Sequence, residues 1–304
     1  MGAAMPTPLL VEQRFPLDLN ETDGTIRALY EEAKVDRWDP FRDFDWASLR
    51  VAPFSAPARR ALSLGYSRRA WHEYTGLSET PAVLIRFCLE AGREADPKYF
   101  LTVRNTEEAW HIECFHSVVR AAGGGVPEPA QAGFGKVFNA RRHRQALDAN
   151  ESLDAYVVTY CAIEDELELQ LARASLANAS TEPLKAMWQR IVRDRERHAT
   201  FGWTYSVRRS ASWDAATREI ILASISDYIR NRIFSGYQCV SFAAPGLADE
   251  FVAAETQLET AGLGGVTAMA ELDALKQTLA EARRRLGALG LILPPYAHPV
   301  HGTF

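Results

Sequence analysis

Ile191-Val-Arg-Asp194-Arg195-Glu-Arg-His198-Ala-Thr-Phe201-Gly202-Trp203 is the stretch whose reading decides the fold. Its apolar residues recur at helical rather than alternating spacing, and Asp194 and His198 lie four apart, on one helical face. A second cluster, Glu107-Glu108-Ala-Trp-His111, repeats the arrangement upstream, where Glu108 and His111 again share a face. Between them Tyr160-Cys161-Ala-Ile-Glu164 carries a lone carboxylate in apolar surroundings, so Glu164 is expected to face inward. Buried carboxylates aimed at one interior repel one another unless paired or bound to a cation, so the pattern points to a metal site. Oxygen and imidazole donors without a thiolate pattern suit iron or manganese better than structural zinc.

Spacing adds a fourth helix. Glu79 lies 29 residues before Glu108, and Glu164 lies 34 before His198, each the length of one helix, a short turn and a return. Antiparallel neighbours of that length bring two ligands to one height. Glu73 and Glu90 are the alternatives to Glu79 on the same helix, and Glu113 with His116 is a competing pair to Glu108 with His111.

The rest of the chain reads as helix almost throughout. Segments are expected at about 26–34, 57–94 (a kinked helix or two, because Pro81 falls inside), 97–122, 152–178, 181–211, 213–234 and 267–288. Gly123-Gly124-Gly125 stops one of them, strand content should be close to nil, and residues 1–23 read as an extended arm. The expected organisation is that arm, a metal-binding helical domain over 24–235 and a helical extension over 236–304 packed on it. The aromatic connector around Trp38 and Trp46 is expected to pack on the main body.

Composition narrows the functional classes. The 304 residues are 47% hydrophobic and 24% charged, enough for a large core. A net charge of -5 without a long basic run argues against nucleic acid as a partner, and the absence of an 18-residue apolar stretch argues against a membrane span. Four cysteines without CxxC spacing fit a reducing cytoplasm.

The motifs resemble those of ferritin-like di-iron carboxylate proteins, in which two helices each give a Glu and two others each give Glu-x-x-His. The stretch 191–203 is similar to the fourth-helix motif of bacterial ferritin-like oxygenases. Leu29-Tyr-Glu-Glu-Ala-Lys34, with Trp38 and Asp45-Trp46, resembles the N-terminal segment of relatives of the p-aminobenzoate N-oxygenases. The resemblance implies an all-α ferritin-like four-helix core with added helices at both ends. It implies two irons, or one, held by Glu79, Glu108, His111, Glu164 and His198, with O2 as cosubstrate and an external electron donor. The reaction it implies is hydroxylation or N-oxygenation of a small organic substrate within a biosynthetic pathway. Homodimers are common in that family, and the apolar content of the early helices permits one.

The sixth ligand position falls on Arg195, which stays protonated and cannot ligate. Three outcomes are open: Asp194 rotates in as a replacement ligand and Arg195 points outward; a mononuclear site remains; or the bundle holds no metal and Arg195 neutralises its carboxylates. Arg86, Cys161 and Tyr160 are further candidates to line a pocket or support the ligands, Arg86 as a partner for a substrate carboxylate.

Overall fold

The computed structural model describes residues 23–90, 94–129, 133–135, 146–148 and 150–304. The arm expected over 1–23 therefore lies, except for Asp23, outside the described residues. Helices account for nearly all regular structure: α1 (Gly24–Val35), α2 (Ala56–Glu90), α3 (Asp96–Ala121), α4 (153–177), α5 (Glu182–Arg209), α6 (Ala215–Asn231), α7 (Asp249–Thr260) and α8 (Ala268–Ala288). Among the described residues strand is confined to one hairpin of two-residue strands, Ala297–His298 and Gly302–Thr303, and an isolated bridge between Ala179 and Leu263.

Local sequence sets most of the helix ends. Asp23 caps α1, its carboxylate accepting from the amides of Thr25 and Ile26 at 3.0 and 3.1 Å. Ser152 and Asp214 cap α4 and α6 in the same way. Pro97 and Pro183 occupy first turns, where the missing N–H costs nothing. Gly123 and Gly124, at φ 105 and 128, stop α3 in a conformation other residues rarely adopt. Pro81 does not divide α2, which runs 35 residues through it. Packing on both sides of the proline outweighs the one hydrogen bond it removes.

The four central helices share one layout. α2 packs along α3 and α4 along α5, while α7 covers α2 and α8 covers α4. One apolar core gathers Val83 and Phe87 of α2, Phe100 and Leu101 of α3, Val158 to Ile163 of α4, and Phe201 to Tyr205 of α5. A second gathers Leu62 to Ala70, Cys114 to Val119, Leu169 with Ala172, and Leu184 to Val192 of the same four helices. Between the two, at one height in every helix, lies a layer of buried charge: Glu73 and Glu79, Arg104 to His111, Glu164 to Glu166, and Asp194 to His198. That layer is the candidate site.

Two local features hold it in place. Val157–Glu164 in α4 is wound as a π-helix, five-residue hydrogen bonding that shifts Tyr160 and Cys161 relative to a regular helix. Gly202 of α5 lies against this segment so closely that an added Cβ would sit 1.6 Å from the Cys161 carbonyl oxygen. The spacing of α4 and α5 at the site thus depends on a missing side chain. The Trp38 connector packs inward, with Trp38 only 3% exposed. α7 lies outside the expected helices, although Phe251, Ala254, Glu255 and Leu258 form its buried face at helical spacing.

Candidate functional site

His111 and His198 come together from α3 and α5, both fully buried, with ring centroids 6.3 Å apart. Their neighbours are carboxylates. His111 bridges Glu73 through Nδ1 (2.9 Å) and Asp194 through Nε2 (3.0 Å). His198 meets Glu107 Oε2 through Nε2 at 2.8 Å. Trp38 donates its indole N–H to Asp194 at 3.1 Å and stacks on the His111 ring.

Three arginines interlock with these acids. Arg195 donates to Glu73 at 2.5 Å and pairs with Glu168. Arg104 donates to Glu108 Oε1 at 3.0 Å and forms a two-pronged pair with Asp165. Arg197 donates to Glu107 at 2.6 Å and also holds Asp194. Thr80 adds its hydroxyl to Glu108 at 2.9 Å, and Gln238 its amide to Glu164 at 3.0 Å.

The central layer encloses a chamber of about 40 Å3, lined by Glu73, Glu79, Glu108, Glu164, Asp165 and Glu168 with Arg104 and Arg195. Tyr160 and Cys161 line it too, as expected, and burial pushes the Cys161 thiol up to about 12, so it stays a neutral thiol. A more apolar pocket of about 100 Å3, with Phe115, Trp188 and Ile191 in its walls, adjoins the chamber across His72, Glu73, Glu168 and Arg195.

Several expectations change against this geometry. Asp194 and Arg195 are both buried, but consecutive helix positions point about 100° apart. Arg195 takes the chamber, and Asp194 faces Trp38, His111 and Arg197. Asp194 is thus turned to His111 rather than into the chamber, and the expectation that Arg195 points outward is not met. Glu73, not Glu79, is the α2 carboxylate that reaches His111, while Glu79 lines the chamber. Arg86 binds no ligand group: it donates to the carbonyls of Ala146 (3.0 Å), Asp148 (2.5 Å) and Glu151 (2.7 Å) and pairs with Glu90, tying down the start of α4.

Protonation follows the packing. Burial opposes charge on His111, but Glu73 and Asp194 outweigh it and push its pKa up to about 9. Burial and the arginines Arg104 and Arg195 hold His198 well below its usual value, so it stays neutral. Burial raises Glu107 to about 8, with Asp194 adding to the rise and Arg197 limiting it. Asp165 reaches about 7 by burial against the pull of Arg104. For Glu73, Arg195 and His111 overcome burial and keep the carboxyl below its ordinary value.

A pH dependence follows. His111, raised from 6.5 to about 9, contributes stability fully present below pH 6.5 and lost as pH rises through 9, on the order of 3 kcal/mol. Glu107 and Asp165, raised above unfolded carboxyl values, act in the same direction up to about 8 and 7. The thermal midpoint is expected to fall between pH 6.5 and 9, and His111→Gln to flatten that fall. An unchanged slope in the variant would remove His111 as its source.

The donor set does not fit a dinuclear metal centre. Among the described residues no three His, Cys, Asp or Glu side chains converge as ligands for one ion. The inward nitrogen of His111 is taken by Glu73, whose second oxygen is taken by Arg195. Arg104 and Arg195 both line the chamber and occupy carboxylate oxygens that a metal ion would otherwise coordinate. In this layer Glu108 Oε2 and His198 Nδ1 are buried without a hydrogen-bond partner.

The fold and the buried acid–histidine layer define the class: an all-α ferritin-like bundle with helices added at both ends of the core. No protein-family model matches the chain, and no curated protein does. Solved structures do. An R2-like ligand-binding oxidase with an aerobically reconstituted metal cofactor after photoconversion superposes with a TM-score of 0.67 at 16% identity, over 88% of this chain and 94% of that one. A point mutant of such an oxidase with an aerobically reconstituted Mn/Fe cofactor gives 0.67 at 17%, over 88% and 94%. Another gives 0.63 at 18%, over 88% and 98%. At these identities the likeness establishes the fold.

Proposed function

We propose that this protein is a bundle of oxidase architecture that works without a dinuclear metal centre, taking a small organic molecule into the polar chamber for binding or acid–base chemistry. One observation carries the reading: the carboxylates that would hold metal ions are already bound by Arg104, Arg195 and Arg197, side chains that cannot give up their charge. The positive charge beside these carboxylates is carried by guanidiniums instead of ions.

The chain's own groups suit that role. Asp165 lines the chamber with a pKa near 7, so it can hold or release a proton at neutral pH while Arg104 fixes its orientation. The Thr80 hydroxyl and the Tyr160 ring lie on the same chamber and can orient a bound molecule. Apolar cores above and below exclude water, which strengthens every polar contact inside.

A second reading keeps the oxygenase expectation: iron or manganese with O2 and an external electron donor oxidising a small organic substrate. The Mn/Fe cofactors of the similar oxidases and the two facing imidazoles favour it. Bound metals would supply electrons to O2, chemistry that no side chain here provides. Metal analysis of protein purified from cells supplemented with iron and manganese separates the two. The expected content is well below one ion per chain, with helicity and thermal midpoint indifferent to a chelator. Two ions per chain, with stability lost on chelation, would restore the oxygenase reading.

A further inference from the structure

We infer that the chamber binds one compact organic cation, a primary alkylammonium group, with its nitrogen on Glu108 Oε2. This rests on the metal-independent reading above and deepens it by naming the ligand class. The charge arrangement points there first. Glu108 and Asp165 share Arg104, and Glu73 and Glu168 share Arg195, two carboxyls to each chamber guanidinium. The surplus is negative, so the chamber selects against anions.

The second observation is independent of that count. Glu108 is 2% exposed and lines the chamber, and its Oε2 has no hydrogen-bond partner although Oε1 has two. An unsatisfied buried carboxylate oxygen is costly, and an N–H donor delivered by a ligand removes that cost. A third observation concerns the approach to the carboxylate. Glu108 faces Gly76, where an added Cβ would lie 3.0 to 3.2 Å from its carboxyl atoms, so glycine lets the carboxylate lie against α2 without crowding.

Size and geometry choose an ammonium over a metal ion. A primary ammonium carries three N–H donors, of which Glu108 Oε2 takes one, and it tolerates rings nearby; Tyr156, Tyr160 and Tyr237 are in the lining. A transition-metal dication needs a converging ligand shell, which the guanidiniums occupy. At about 40 Å3 the chamber has space for roughly three water molecules, room for an aminoethyl head but not a longer chain. A tail could pass into the adjoining apolar pocket only by displacing Arg195 from Glu73 and Glu168, which form the shared wall.

The test uses the full chain, freed of metal by dialysis, with ethylammonium, ethanol and acetate as matched probes. Binding is read by ligand-observed NMR and by the shift in thermal midpoint. Ethylammonium is expected to bind with a dissociation constant on the order of a millimolar, the ceiling for so few atoms, and ethanol and acetate at least tenfold more weakly. Glu108→Gln keeps the shape and is expected to weaken ethylammonium at least tenfold. Gly76→Ala fills the space beside the carboxylate and serves as the second variant should the first fold poorly. Ethylammonium binding no better than ethanol would overturn the inference while leaving the metal-independent reading intact. Two equivalents of Mn2+ or Fe2+ that bind and displace ethylammonium would overturn both.

Discussion

Replacing Arg195 by methionine is expected to lower the stability of the protein by about 3–5 kcal/mol, the cost of leaving buried carboxylates without their partner. The guanidinium holds Glu73 and Glu168 together, and all three line the chamber. Methionine fills comparable space, so the loss is electrostatic rather than a cavity. Removing one of the acids should return part of it: Glu73→Gln in the Arg195→Met background is expected to be milder than the two single effects added together. Chemical unfolding of the four proteins checks this, and strict additivity would show that the pair does not act as one unit. The charge-reversing Arg195→Glu carries the argument further. It places one more carboxylate in the chamber, so the variant should be unstable alone and gain thermal stability with Mn2+ or Fe2+, whereas the unmodified chain should not respond. A metal response in the unmodified chain, and none in the variant, would show that Arg195 is not what excludes the ions.

The second large effect is expected from the smallest substitution. Gly202→Ala adds one methyl group, yet its Cβ would fall 1.6 Å from the Cys161 carbonyl oxygen and 2.0 Å from the carbonyl carbon. Both are backbone atoms, and no side-chain rotation relieves the overlap. α5 must move away from the π-helical stretch, opening the core around Phe201 and Trp203 and displacing His198 and Arg195 one and two turns upstream. A loss of at least about 3 kcal/mol is expected, the upper range for overpacking. For a chain of this length that is a fall in thermal midpoint of roughly 5 °C or more. A midpoint within a degree of the parent would mean that the two helices are not locked at this height.

Much of the architecture was legible without coordinates. The helices over 97–122, 152–178, 181–211 and 267–288 follow from apolar spacing with caps, prolines and glycines at their ends, because those signals act within a turn or two of the residues that carry them. The pairing of His111 with His198 in one interior was legible too, since two clusters at matching helix lengths can meet only if the helices run antiparallel. Less visible were the residues that neutralise the layer. Arg104 four positions before Glu108 and Arg197 three positions after Asp194 are local signals that helical spacing exposes. Glu107 and Asp165 each sit beside a favoured ligand and were overshadowed by it. The Phe251 to Leu258 face of α7 went unread between two glycine-bearing loops.

The sequence by itself determined that this chain is a helical bundle with carboxylates and histidines at one level, and that an arginine, Arg195, stands among them. Short-range physics governs both: periodicity decides the helices, and guanidinium chemistry keeps Arg195 charged. Only the tertiary structure decided which way Arg195 points, that Glu73 rather than Glu79 meets His111, and that Arg86 serves the α4 entry instead of a ligand. Those outcomes depend on helix phase carried unbroken through Pro81 and on the depth to which α5 sinks against α4 at Gly202. Such quantities are set by packing among distant segments, where a rotation of 100° exchanges one neighbouring residue for the next.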